Sequence, residues 1–329
     1  MLKNKIFKNI SLTLVLLACG YFVAQLFNYS KLSDTDNEHL GTDYMNKYQV
    51  YALKTPTKLF FADEKVPLDR WDIKESLDRE LLVNTYWQSQ TLLFLKRANR
   101  YFPIIEPILK KQGVPDDFKY LALIESGLIP TVVSPAGAVG FWQFMSPTAR
   151  DYKLEINKEV DERYNIEKST RAACKYLKDS YKKFGSWALV AASYNAGRTH
   201  IHSQMKLQNA GTYYDLLLGE EPARYLFRII AAKRIMENPQ DFGFKYRDSD
   251  LYPSIPTRKI KIKGAVKNFA DFAQKNGVNY KILKFFNPWL RKPYLTNKYK
   301  KEYEITLPAK GYINFAFSEY KKPQEKKKK

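Results

Sequence analysis

A mainly helical chain closed by a small strand-helix-helix-strand unit is what this sequence predicts. Three observations carry that expectation. Between residues 98 and 245 helix caps and glycine stops follow one another closely, and little reads as strand. Upstream, Leu77, Leu81, Leu82, Tyr86, Leu92, Leu93 and Leu95 recur with helical spacing. Past Phe244 the composition shifts, and alternation typical of a strand appears at residues 258–263.

The N-terminus comes first. Lys3, Lys5 and Lys8 precede an uncharged, largely apolar run over residues 10–27, followed by Asp34, Asp36 and Glu38. This pattern predicts an export signal or single membrane anchor over residues 1–30, with its positive end left in the cytoplasm. The run is near the ~20 residues that span a bilayer. Leu16-Leu17-Ala18-Cys19 resembles a lipoprotein cleavage box, yet apolar residues continue through Phe27. An uncleaved anchor is therefore favoured, with lipidation at Cys19 as the alternative.

Residues 31–97 read as a polar linker, to about residue 75, and a helical extension. Helices are expected over residues 77–100 and 101–111, stopped by Gly113. Within residues 98–245, Asp116 is placed to cap the next helix, with Pro115 ahead of it. Ser146-Pro147 opens another. Asn165 caps a long helix that Gly185 stops, and Ser186 caps one running to Asn195. A further helix starts near Pro222 and ends at Asn238-Pro239. The small unit over residues 256–310 has a strand at 258–263, helices at 266–275 and 280–287, and a closing strand at 303–308. Residues 311–329 form a basic tail, a solvated end.

Composition narrows the function classes. At 329 residues and 45% hydrophobic, the chain has room for two cores. Its net charge of +21 favours polyanions: nucleic acid, anionic lipid or an anionic cell-wall polymer. No zinc-finger spacing, RNA-binding aromatic signature or basic zipper is present, and the export segment argues against nucleic acid. The two cysteines, Cys19 and Cys174, predict no intrachain disulfide in the exported body, and Cys174 falls on an apolar helix face. His39, His200 and His202 make no metal pattern, so neither metal nor cofactor is expected.

Glu125 is the candidate for chemistry. Phe118, Leu121 and Ala122 share its helical face, and the helix stops at Gly127. A carboxyl on an apolar face at a helix C-terminus is pushed towards its neutral form, as a proton donor near neutral pH needs to be. The alternative is a structural glutamate bonded to backbone. Downstream, Ser134 to Met145 combines close glycines with Trp142, Gln143, Phe144 and Met145. Ala191 to Gly197 adds Tyr194 and Asn195 at another helix end. Flat apolar faces beside amides and hydroxyls are what a sugar pocket requires, although aromatics at helical spacing are also ordinary core.

The ordered set resembles the lytic murein transglycosylases with a lysozyme-like domain of the soluble-lytic-transglycosylase type, closest to the membrane-bound type D group. Glu125-Ser126, Pro130, Ser134, Ala136-Gly137-Ala138, Gly140, Trp142-Gln143-Phe144-Met145, Tyr194-Asn195-Ala196-Gly197 and Tyr225 carry the resemblance. Phe141, Ser193 and Glu221-Pro222 depart from the usual residues. The resemblance implies a lysozyme-like (α+β superfamily) domain acting on peptidoglycan glycan strands in the cell envelope, facing the periplasm. Glu125 would protonate the bond between N-acetylmuramic acid and N-acetylglucosamine. It would then take the muramyl 6-hydroxyl proton, leaving a 1,6-anhydromuramyl end. Ser126 and Ser134 would orient acid or sugar, and Gln143 and Met145 would shape the muramyl site. Phe144 is either core or contact. Tyr194 would position the acetamido group, Asn195 would brace its loop, and Tyr225 would line the distal wall. Asp161-Glu162-Arg163 reads as a structural ion pair rather than a second catalytic carboxylate. The unit over 256–310 resembles a LysM module, with Gly264-Ala265-Val266 in place of the usual Gly-Asp-Thr. A muramidase-type hydrolase and a non-catalytic peptidoglycan-binding protein remain the competing readings. No protein partner is named by the sequence.

Overall fold

The computed structural model describes residues 50–312. The expected anchor, Cys19, the linker before residue 50 and the basic tail beyond 312 lie outside the described residues. Among the described residues, no helix is long and apolar enough to cross a membrane.

The architecture is mainly helical, with two small antiparallel sheets. A two-stranded hairpin opens it, β1 (Phe60–Phe61) against β2 (Glu64–Lys65), with Phe61 opposite Glu64. Two helices follow, α1 (Trp71–Tyr86) and α2 (Gln88–Gln112). The chain bends at Trp87 rather than between Arg100 and Tyr101 as the spacing suggested. Helix α2 carries Pro103 and Pro107 inside it and still runs to Gly113, which closes it in the left-handed region. Its apolar stripe (Phe94, Leu95, Ala98, Phe102, Ile105, Leu109) is buried throughout, so tertiary burial outweighs the bonds the prolines remove.

Helix α3 (Phe118–Ser126) ends at Gly127, and α4 (Ser146–Asp151) begins with a first-turn proline. Asp116 does not cap α3; the cap position belongs to Asp117, whose carboxylate is used elsewhere. Helices α5 (Ile166–Phe184) and α6 (Trp187–Ala196) are capped by Asn165 and Ser186 as the sequence suggests. Helices α7 (Arg198–Leu207) and α8 (Glu220–Glu237) complete this domain. Its core holds Leu121, Trp142, Leu177, Leu189 and Ile230, all fully buried, together with Cys174. Burial pushes the Cys174 thiol up to about 12, so it is inert core.

The C-terminal unit is β3 (Thr257–Ile262), α9 (Phe269–Lys275), α10 (Tyr280–Phe286) and β4 (Tyr303–Pro308). The strands pair from Thr257 with Pro308 to Ile262 with Tyr303. Tyr303, Ile305 and Leu307 alternate inward onto Phe269, Ala273 and Leu283. Three residues of the helical domain, Val139, Val160 and Tyr164, are buried in this same core. Backbone ties reinforce the junction: Val160 bridges Leu290, the Asp161 N–H donates to the Trp289 carbonyl at 2.9 Å, and the Arg291 N–H donates to the Glu159 carbonyl at 2.7 Å.

Candidate functional site

Three helices converge on Glu125. Helix α3 presents it one residue before its end, α6 supplies Tyr194, and α8 supplies Tyr225. The Tyr225 hydroxyl donates to Glu125 Oε1. Glu125 keeps partial exposure, while Tyr225 is buried. Burial dominates the electrostatics and pushes the Glu125 carboxyl up to about 7. The Tyr225 hydrogen bond and the Arg228 charge pull it down, and the Glu221 charge adds to the rise. A carboxyl poised there can give a proton and take one back near neutral pH. Burial and the nearby Glu125 charge hold both Tyr194 and Tyr225 well above the usual phenol range, so both hydroxyls stay protonated as donors.

The loop between α3 and α4 forms one wall. Ser134 closes it: its N–H donates to the Ala138 carbonyl at 2.9 Å, and its Oγ accepts from the Ala138 N–H at 3.0 Å. Gly140 is required, because a Cβ there would meet the Arg163 carbonyl oxygen at 2.3 Å. Arg163 also donates to the Phe144 carbonyl at 3.1 Å and pairs with Asp161 at 2.8 Å. The acidic cluster is thus a brace for this loop. The Trp142 Nε1–H donates to Thr170 Oγ1 at 2.9 Å from a fully buried position. Gln143 sits at φ 45° and donates its amide to the Gly140 carbonyl at 2.8 Å.

The remaining candidates are placed as follows. Phe144 is buried, with its ring 6.3 Å from that of Tyr194. Met145 is exposed. The Tyr194 hydroxyl donates to the Trp142 carbonyl at 2.7 Å, tying α6 to the loop. Asn195 Nδ2 donates to Glu221 Oε1 at 3.3 Å, tying α6 to the start of α8. Ser126 is buried and engaged with backbone, donating to the Ala122 carbonyl at 2.8 Å and accepting from the Leu128 N–H at 3.1 Å. Sequence reasoning set Tyr225 at a distant wall, whereas it touches the acid. It also missed Glu221 and Arg228. Their spacing about Tyr225 (four residues before, three after) puts all three on one face of α8, and that signal could have found them.

A cavity of about 690 Å³ lies elsewhere, between the helical domain and the C-terminal unit. Arg100, Tyr101, Phe141, Phe285 and Trp289 line it, and none of the candidate site residues does. Among the described residues no group of His, Cys, Asp and Glu could hold a metal ion.

A mainly helical domain that brings one half-buried acid to a helix end beside two tyrosines, with a small βααβ domain docked on it, defines the class. Residues 102–216 match the transglycosylase SLT domain, and residues 258–311 match the soluble lytic transglycosylase C-terminal LysM-like domain. The chain carries both domains, in that order, and the SLT match agrees with the lysozyme-like class expected from the sequence. It is 28% identical over 235 residues to the membrane-bound lytic murein transglycosylase D of Escherichia coli (strain K12), covering 69% of this chain and 50% of that protein. The chain thus spans half the length of that relative. Among solved structures, the 70 kDa soluble lytic transglycosylase of Escherichia coli overlays 43% of this chain and 24% of that one, at 19% identity and a TM-score of 0.36. The lytic transglycosylase Slt of Pseudomonas aeruginosa covers the same shares at 18% identity and a TM-score of 0.35.

Proposed function

We propose that this chain is a peptidoglycan lytic transglycosylase of the cell envelope, with Glu125 as acid and then base. Protonated Glu125 gives its proton to the glycosidic oxygen between N-acetylmuramic acid and N-acetylglucosamine, and the C1–O bond breaks. The N-acetyl carbonyl of the muramyl residue shields the positive charge at C1. Ionised Glu125 then takes the 6-hydroxyl proton, and O6 closes onto C1 to give the 1,6-anhydromuramyl end. Water is not consumed, and Glu125 ends protonated as it began. The supporting observation is the Glu125 carboxyl itself: half-buried, bonded by Tyr225 and pushed up to about 7.

In this reading Tyr194 and Tyr225 position the charge-bearing ring and the acid, Gln143 and Met145 shape the muramyl subsite, and Phe144 backs it. Ser126 and Ser134 hold backbone around the acid and its loop, and Asn195 braces the end of α6 against Glu221. The LysM-like domain contributes glycan binding, and the N-terminal segment anchors the chain with its body in the periplasm, in remodelling of the wall. The test is incubation with purified sacculi and mass analysis of the products. Anhydro-muropeptides are expected, lighter by one water than hydrolytic products, and Glu125→Gln should release almost none. Hydrolytic products would replace this reading with a muramidase, and no products with retained wall binding would replace it with a binding protein. Activity should also decline as pH rises through about 7, where Glu125 loses the proton it must donate.

A further inference from the structure

The hairpin β1–β2 lies outside both matched segments, yet it touches all three helices that carry the site. Glu64 of β2 sits at the start of α6. Its Oε1 accepts from the Trp187 N–H at 2.5 Å, and its Oε2 accepts from the Ser186 hydroxyl at 2.9 Å and the Ala188 N–H at 3.1 Å. One carboxylate thus satisfies two of the orphan donors of that helix and meets the positive end of its dipole. The Ala62 N–H, at the hairpin tip, donates to Asp117 Oδ2 at 2.6 Å, at the start of α3. That same oxygen pairs at 2.7 Å with Lys233 of α8, whose Nζ also donates to the Phe60 carbonyl at 3.2 Å. Phe61 is fully buried and packs edge-on against Phe118 of α3, with ring centroids 5.4 Å apart. Phe118 in turn meets Trp187 of α6 at 5.2 Å.

The three anchor points stand at nearly equal spacings from the site. Asp117 stands eight residues before Glu125, Trp187 seven before Tyr194, and Lys233 eight after Tyr225. At ~1.5 Å of rise per residue, each site residue lies roughly 10–12 Å along its helix from the hairpin. The hairpin therefore fixes the far ends of three rods whose near ends carry the acid and its two tyrosines. Ala62 and Asp63 both adopt positive φ, 51° and 65°, as a two-residue turn of this hand demands. Neither is glycine or asparagine, so the turn stores strain that its contacts must offset.

Resting on the proposed reading of Glu125, we infer that Glu64, with Asp117 and Lys233, is a positioning device that sets Glu125 against Tyr225 and Tyr194 from the opposite end of their helices. Without it α6 and α8 shift at the site, the Tyr225–Glu125 bond loosens and water reaches the carboxyl. Burial is the first cause of the Glu125 shift, and the side chains that modify it, Tyr225, Arg228 and Glu221, all stand on α8; Tyr194 of α6 lies close enough to feel the Glu125 charge, so opening of this packing reads out at the carboxyl.

The experiment compares the full-length chain with Glu64→Ala and Asp117→Asn. The Glu125 side-chain carboxyl is titrated by carbon NMR on glutamate-labelled protein, with Glu125→Gln identifying the signal. Release from sacculi is followed alongside. In Glu64→Ala the titration midpoint should fall by roughly half a unit or more, because burial is the largest cause of the raised value and the water that relieves it outweighs the loosened Tyr225 bond, which alone would raise the midpoint. The rate at saturating sacculi should fall by about tenfold with apparent KM nearly unchanged, since positioning rather than binding is lost. Asp117→Asn should change both in the same direction. A lowered Tm with an unmoved midpoint and unmoved rate would reduce the hairpin to a stability element and overturn the inference. Should Glu64→Ala fail to fold, Asp117→Asn decides by the same readouts. The two proposals separate cleanly. A wild type that releases nothing, with a midpoint that still shifts in the variants, refutes the cleavage reading and leaves the positioning intact.

Discussion

At the scale of the residue, Glu125 is held against its own ionisation, and that has a cost in stability with a definite sign. Its folded value of about 7 exceeds the ordinary 4.5, so between these values the folded chain holds a proton that the unfolded chain has released. Stability from this group is full below about 4.5 and is lost as pH rises through about 7. Glu125→Gln removes the effect. Thermal melts should show the variant gaining on the wild type by on the order of 3 kcal/mol between pH 4.5 and pH 8. Equal gaps at both pH values would contradict a raised carboxyl. Tyr225 acts the other way, because its hydrogen bond stabilises the carboxylate. Tyr225→Phe should move the alkaline limb of the activity profile to higher pH, by on the order of one unit. A limb that stays in place or moves down would place the hydroxyl elsewhere during turnover.

At the scale of the element, the caps show what local sequence can carry. Asn165 Oδ1 accepts from the Lys168 N–H at 3.0 Å, and Ser186 Oγ accepts from the Leu189 N–H at 3.5 Å. Asn165→Ala should cost about 1 kcal/mol, measured by urea unfolding, and it should leave the Glu125 titration where it was. Such caps were legible because both partners lie within three residues. The role of Asp117 was not legible, because its partners Ala62 and Lys233 are 55 and 116 residues away. The hairpin falls in the stretch that reads as linker for a similar reason: Ala62-Asp63 lacks the Asn-Gly signal, and what pins it, the burial of Phe61 against α3 and the bonds of Phe60, Ala62 and Glu64, comes from residues far along the chain. The break at Trp87 was missed because the apolar spacing runs on through it. In the site, Glu125 could be found from its own helix face. Its contact with Tyr225 joins residues 100 positions apart, and no local pattern encodes that distance.

At the scale of the whole molecule, the described body beyond residue 52 forms one compact unit. The LysM-like domain shares its apolar core with Val139, Val160 and Tyr164, and Tyr303 donates to Glu155 Oε1 at 2.9 Å across the junction. The Arg291 guanidinium stacks over Tyr164 at 4.1 Å. Calorimetry of the chain should therefore give a single transition, and Tyr164→Ala should lower it while both domains still melt together. Two separated peaks in the wild type would show the domains unfolding independently.

The Val139–Val160–Tyr164 floor has a practical outcome for anyone wishing to borrow the LysM-like end. Cut out on its own, residues 257–312 would present a bare oily underside that the parent normally covers, and the fragment would clump in solution. It is a limb grown into the trunk, not a cassette to be grafted onto another enzyme without its socket.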